Sequence, residues 1–299
     1  MTQKRHTSYP IIYTEGMEIL DRLDALLQRF RVQAAQFHIG QVCETQRYDP
    51  RPGSGFLHVL RAGEVAFTPP GSQRAVTVTE PAVLLFPRTT PHAFAVPAGT
   101  TADLACATLD FPGGEAHPLV TMLPEYVIVP LAEVPGLGPT LELLATEASS
   151  PLCGHRHVID RLFEIVLIKL IRHLIEHPDT GHHSHTPGLL SGLAQPQLAR
   201  ALTAMHESPD HPWTLPELAE IAHLSRSAFS LRFRELVGVP PHEYLIAWRI
   251  TVAQHLLAAD HTVIDVATAV GYSGTSFSRL FTQRVGQSPR AWAQAHAGT

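Results

Sequence analysis

The last third of the chain contains the same phrase twice. "LAEIAHLSRSAFSLRFRELVGVPPHEYL" starts at Leu218, and "VATAVGYSGTSFSRLFTQRVGQSPRAWA" starts at Val266. One offset of 48 residues pairs Thr214 with Thr262, Ala219 with Ala267 and Phe229 with Phe277. It also pairs Phe233 with Phe281, Gly238 with Gly286, Pro241 with Pro289 and Tyr244 with Trp292, over some 31 positions without a gap. A fixed offset that keeps apolar, Gly and Pro positions in step demands two copies of one supersecondary unit. Within the first copy, Leu215, Leu218, Ala219 and Ala222 fall on one helical face, with Pro216 suited to a first turn. "HLS" then turns the chain, and Ser225 is a good N-cap for a second helix. Phe229, Phe233 and Leu236 give that helix its inward stripe; Gly238 ends it and "VPP" prevents its resumption.

Helix, tight turn and second helix make a helix-turn-helix, whose second helix lies in a DNA major groove. The residues left outward are Arg226, Ser227, Ser230 and Arg234 in the first unit. In the second they are Thr275, Ser276, Ser278 and Arg279, with Arg284 at the end. The paired phrase resembles the DNA-binding domain of the AraC/XylS family over roughly residues 195–295. That resemblance implies a linking helix over 241–259 and reading helices at 225–236 and 274–284, entering successive major-groove segments on one DNA face. It implies base contacts from Ser227, Ser230 and Arg279, while Arg226 and Arg234 are placed for phosphates. The partners it implies are double-stranded operator or promoter DNA, a second copy of the chain as a homodimer, and RNA polymerase. Two positions depart from the family pattern. "GYSGTSF" is one residue shorter than the usual second turn, and Leu231 stands where close relatives often carry arginine.

Charge tempers the nucleic-acid reading. From Gln195 onward there are eight Arg, no Lys and eight Asp or Glu, a neutral balance. Non-specific attraction to phosphate is therefore modest, and binding should rest on few contacts and on dimerisation. The whole chain of 299 residues has net charge −5, with 44% hydrophobic residues, enough for about two packed domains. Three cysteines fit a reducing compartment better than a disulfide framework. No long uncharged apolar run occurs, since "LFEIVLIKLIRHLIE" (162–176) is broken by Glu164, Lys169 and Arg172. The first residues lack a hydrophobic secretion core. The expectation is a cytoplasmic protein without membrane contact, associated with the nucleoid when DNA-bound.

Residues 36–130 present short apolar segments separated by Gly and Pro punctuation, the pattern of a β-sandwich or barrel. Helical spacing takes over from about 139 to 177, and "HPDTGHHSHTPG" (177–188) reads as a linker. Met17 opens an expected amphipathic helix, "MEILDRLDALLQRF". The expected α+β architecture is an N-terminal cupin-like β-barrel (17–135), a helical linker or dimerisation segment (136–190) and a C-terminal all-α domain with two helix-turn-helix motifs (191–299). The helix over 155–176 is apolar on more than one stripe, which suits either a homodimer surface or a position buried between domains. His155, His157, His173 and His177 read as surface groups.

"FLHVLRAGEVAF" and "LLFPRTTPHAF" resemble the two cupin motifs, without the His-x-His pair of the first and the usual glycine of the second. Strand alternation puts His58 with Phe56 and Leu60, His92 with Phe94 and Val96, and Cys106 with Leu104. Barrel closure would bring Cys43, His58, His92 and Cys106 together as a tetrahedral zinc set, and an oxidisable thiolate pair would make it a redox switch. Buried thiols and satisfied core histidines are the alternative. The function expected is a sequence-specific transcription regulator, not an enzyme, whose front domain senses a small ligand, a metal or a redox signal. The competing reading is a cupin-type metalloenzyme, with iron or manganese, carrying a helical interaction module.

Overall fold

The computed structural model describes residues 20–178 and 187–296. Residues 1–16, the start of the stretch opening at Met17, and most of the 177–188 linker lie outside the described residues. Among its described residues, 20–30, the stretch is helical over α1 (Asp24–Arg29). The start at Asp24 has a local cause: Asp21 Oδ1 accepts the backbone N–H groups of Leu23 and Asp24, both at 3.0 Å, and so closes off the first turn.

Among the described residues, nine strands follow in two layers. Strands β1 (Gln33–Val42), β3 (Ser54–Ala62), β6 (Ala82–Phe86), β8 (Ala102–Asp110) and β9 (Val127–Pro130) form one antiparallel sheet ordered β1-β8-β3-β6-β9. Facing it are the pairs β2 (Gln46–Tyr48) with β7 (His92–Phe94) and β4 (Val65–Phe67) with β5 (Val76–Val78). A single bridge, Ala66 to Ala95 with bonds of 2.9 and 2.8 Å, ties the two pairs together. Strand β3 is central and buried on both faces, so its alternation separates two cores. Phe56, His58 and Leu60 point between the sheets, where Tyr48, Phe67, Phe86, Phe94, Leu104 and Cys106 complete an aromatic-rich filling. Leu57 and Val59 point the other way, toward the helices.

The helical layer begins with the short α2 (Pro118–Met122), then α3 (Leu137–Ser149) and α4 (His155–Glu176). Helix α4 buries Ile159, Leu162, Phe163, Val166, Leu167, Leu170, Ile171 and Leu174. Of the two readings of its wide apolar face, the structure realises the position between domains: of its large apolar residues only Val158 and Ile165 are plainly exposed, at 38% and 41%. His173, expected at the surface, is also buried, its Nε2 lying 3.9 Å from Glu133 Oε2. Two acidic side chains of α4 cover the open edge of β1. Asp160 accepts the Gln36 N–H at 2.8 Å and Glu164 accepts that of Ala34 at 3.3 Å. An unpaired strand edge is thereby blocked against pairing with another chain.

The remaining helices are α5 (Leu189–Ala194), α6 (Pro196–Glu207), α7 (Leu215–Ile221), α8 (Arg226–Val237), α9 (Pro241–Ala258), α10 (Val263–Ala269), α11 (Gly274–Val285) and α12 (Pro289–His296). One apolar cluster runs unbroken from the outer face of the five-stranded sheet through α4 into these helices. At the seam, Arg22 donates to the Leu193 carbonyl (2.9 Å) and Arg29 to that of Glu207 (3.1 Å), so two cations of α1 and its approach close the C-terminal ends of α5 and α6. The Phe30 ring sits between His117, Trp248 and His255, with centroids 5.7, 5.4 and 5.1 Å away.

Because Phe163 is fully buried where α4 meets this continuous core, Phe163→Ala is expected to lower stability by about 3–5 kcal/mol. A fall in the urea midpoint, read by circular dichroism, checks it.

Candidate nucleic-acid interface

The repeat is carried into three dimensions without slippage. Helices α7 and α10 each have 7 residues, and α8 and α11 each have 12, with every boundary displaced by 48. The two turns are accordingly the same length. Thr214 and Thr262 cap the first helices, accepting from Glu217 N and Asp265 N, and Thr214 with Glu217 forms a complete capping box. Ser225 and Ser273 cap the second helices, accepting from Ala228 N and Ser276 N at 3.3 and 3.4 Å. Gly238 and Gly286 end them at φ of 90° and 84°, a left-handed turn that glycine adopts without a Cβ penalty.

Phe229 and Phe233 are fully buried beneath α8, as are Phe277 and Phe281 beneath α11. Within each pair the ring centroids are 5.5 Å apart, at tilts of 59° and 55°. With the phenylalanines fixed inward, helical geometry turns the sequence-predicted residues outward. Arg226, Ser227, Arg234, Thr275, Ser276 and Arg279 are exposed, while Ser230 and Ser278 are half-buried. Among the described residues, Arg226, Arg234 and Arg279 take part in no ion pair. Leu231 is 60% exposed on the same surface, an apolar group suited to contact with a thymine methyl.

The serines are less free than their positions suggest. Ser227 Oγ lies 3.3 Å from the cap oxygen of Ser225, and Ser273 Oγ donates to Ser276 Oγ at 3.0 Å. Ser278 Oγ donates to the Gly274 carbonyl of its own helix at 2.9 Å. Arg284, read as outward, is held by Glu243 at 2.7 Å, and Arg232 by Gln197 at 2.7 Å. Helix α9, the linking helix, has 18 residues and hence a length of about 27 Å, comparable to one turn of B-DNA at ~34 Å.

The barrel interior brings only part of the expected metal set together. His58 Nε2 and His92 Nε2 are 2.9 Å apart, and Cys106 lies opposite His58 in the β3–β8 register. Cys43 is a correction. It follows Val42, which pairs with Ala102, whereas Cys106 pairs with His38. Five residues of extended strand separate the two thiols by about 15 Å, and Cys43 is exposed. Among the described residues no group of three or more His, Cys, Asp or Glu is arranged to hold a metal ion. The four residues therefore do not make the closed tetrahedral zinc set that the strand pattern suggested. Cys106 instead has the Tyr48 hydroxyl 4.0 Å away, and burial pushes its thiol up to about 12. His92 Nδ1 faces the Thr90 carbonyl at 3.3 Å, which places its proton there and leaves Nε2 to accept from His58. Burial holds His58 well below the ordinary imidazole range and His92 at about 4.

With this geometry in place, comparison with known proteins is direct. The cupin family model matches residues 21–176, about half of the chain, and a helix-turn-helix domain model matches residues 218–295. A helix-turn-helix transcriptional regulator of Haemophilus influenzae is 26% identical, covering 93% of this chain and 99% of its own length. The RCS-specific transcriptional activator RclR of Escherichia coli K12 is 27% identical, covering 89% of this chain and 96% of its own. Among solved structures, the DNA-binding domain of AdpA in complex with a target DNA aligns at 32% identity over 34% of this chain and 92% of that one, with a TM-score of 0.32. A cupin-like front domain joined to paired helix-turn-helix units defines a class of gene regulator. The chain belongs to that class: it is a DNA-binding transcriptional regulator of the AraC type with a cupin-like domain. Among the described residues no helix is long and apolar enough to cross a membrane.

The depressed imidazoles set a pH dependence. His92 and His117 titrate at about 4 in the folded chain and His206 at about 3, against roughly 6.5 when unfolded. Between these values the unfolded chain binds protons that the folded chain does not, so stability is full above pH ~6.5 and declines as pH falls toward ~4. The urea midpoint is expected to be lower at pH 5 than at pH 7.5, with a shallower decline in His92→Gln.

Proposed function

We propose that the protein reads a bipartite operator through α8 and α11, with the front domain setting how well it does so. The single observation that carries this reading is the exposure of Arg226, Arg234 and Arg279 on two helices whose opposite faces are locked by buried phenylalanine pairs. Arg226 and Arg234 serve phosphates; Arg279, with Ser227, Ser230, Thr275, Ser276 and Ser278, faces base edges. The N-cap engagement of Ser227 and Ser276 favours a role in which their oxygens accept or share, with the arginine supplying direct discrimination. Because the helical region is electrically neutral, a homodimer on paired sites supplies affinity that one copy lacks. RNA polymerase, recruited at the promoter, and a cytoplasmic, nucleoid-bound location belong to the same reading.

For the signal, a small ligand with both apolar and polar groups is favoured over metal or thiol oxidation. A cleft of about 470 Å³ where the β2–β7 and β4–β5 pairs meet is lined by Arg47, Asp49, Thr68 and His92 together with Ala66 and Ala95, and His92 connects it to the buried His58. Two imidazoles alone are a poor resident metal site. A buried thiol pushed up to about 12 is a poor nucleophile, which weighs against Cys106 as an oxidation sensor.

Fluorescence anisotropy on the adjacent promoter DNA tests the operator reading. Arg226→Ala with Arg234→Ala should flatten the salt dependence by a slope of about 2, if each removes one phosphate contact. Arg279→Ala should cost about 1–3 kcal/mol of discrimination between the operator and a substituted site. Wild-type affinity and salt slope in the triple variant would contradict the proposal.

A further inference from the structure

Two reading helices specify an operator only if their separation and mutual angle are fixed. The cap, turn and phenylalanine pair of each unit position its own helix, but none of them ties one unit to the other. The contact that does so lies away from both exposed reading faces.

Arg249 sits midway along α9 and is 8% exposed, which is unusual for arginine. Its Nε donates to the Pro209 carbonyl at 2.6 Å and its Nη2 to the His211 carbonyl at 2.8 Å. Both acceptors belong to the loop that leads from α6 into the first helix-turn-helix unit. The same guanidinium lies over the Tyr272 ring, 4.9 Å from its centroid, and Tyr272 is in the turn of the second unit. A planar fork that donates in its plane and stacks on its face is suited to this double duty, and lysine is not. Gly271, next to Tyr272, supplies an independent observation. A Cβ there would collide with the carbonyl oxygen of Asp210 and come within 2.9 Å of its Cα, at a backbone φ of +75°. The turn of the second unit is thus seated directly on the backbone of the loop of the first.

We infer that Arg249 is a positioning residue for operator reading: with Tyr272 and Gly271 it latches the turn of the second helix-turn-helix unit onto the 208–211 loop of the first, and so sets the spacing of α8 and α11. The latch itself is a property of the fold. Its consequence for operator choice rests on the reading given under Proposed function.

The test has one arm without DNA and one with it. Cysteines placed at Glu220 and Thr268, exposed positions related by the 48-residue repeat, carry spin labels in a full-length chain with Cys43→Ser and Cys153→Ser; Cys106 stays, being fully buried. The distance distribution between labels should be narrow in the parent and widen roughly twofold in Arg249→Gln and in Gly271→Ala, with helical content retained. The two substitutions attack the contact from opposite sides, so Gly271→Ala carries the test if Arg249→Gln does not fold. In the DNA arm, operators whose two sub-sites are moved apart or together by one base pair should be rejected about tenfold by the parent and about threefold or less by the variants. Affinity for a duplex holding only the first sub-site should not change. An unchanged distance distribution in a folded variant overturns the latch, and so does a uniform loss of affinity at every spacing. If labels broaden as expected while the parent discriminates no promoter sequence, the latch stands and the operator reading fails.

Discussion

Burial of two phenylalanines per unit is the constraint on which the rest of the structure depends. Each pair sits one helical turn apart, fully inaccessible, with rings tilted against one another. A helix fixed by such a pair cannot rotate without exposing an aromatic ring, at a cost of about 3 kcal/mol or more. Rotation is what would otherwise blur which residues face outward. The exposure of Arg226, Arg234 and Arg279 is thus a consequence of what lies beneath them. The serine caps and left-handed glycines then set where each helix begins and ends, so that the reading faces are defined in both rotation and length.

What could be read in the sequence divides by how local its cause is. The repeat, its caps and its helix ends depend on residues within a dozen positions of each other, and the reading helices expected at 225–236 and 274–284 form at 226–237 and 274–285. Strand alternation was local too, and it placed His58, His92 and Cys106 on the interior face. Barrel register was not. That Cys43 lies five residues beyond the partner of Cys106 is set by which strand pairs with which, and no local pattern in β1 encodes it. The same holds for α4. Its composition fitted a dimer surface and an interdomain position equally well, and only the tertiary packing of the sheet on one side and α5 on the other decides between them. The start of α1 at Asp24 does have a local signal: Asp21, two residues ahead of the leucine that precedes the helix, accepts the backbone donors of the first turn.

The packing between the two domains is continuous. The outer face of the five-stranded sheet, α4 and the helical domain share one apolar cluster, and Phe30 reaches from the front domain to Trp248 and His255 on the linking helix. The linking helix also bears Arg249, the residue next to Trp248 and six before His255 on the same element. A change in the front domain that moved Phe30 would act on α9, and α9 holds both units. The molecule therefore has a continuous route of packed side chains from the sheet to the reading helices. Packed interiors respond to displacement by moving to another discrete arrangement, which is the property a two-state switch requires.

The distribution of arginines decides how such a molecule reaches useful affinity. Of the eight arginines after Gln195, Arg249 is buried in the inter-unit latch, Arg232 is held by Gln197 and Arg284 by Glu243. Three of the others, Arg226, Arg234 and Arg279, stand on the reading helices, against eight acidic residues in the same region. Each phosphate neutralised adds about −0.9 to the salt slope, so a single copy with so few cations is weakly held at any random site. Weak non-specific binding raises the ratio of specific to random occupancy, provided the specific contacts are held in register. Fixing the two helices relative to each other makes their contacts act together, because the second helix then binds with the first already bound, at a high effective concentration. Geometry thus supplies what charge does not, and a rigid inter-unit contact is the feature a neutral DNA reader most needs.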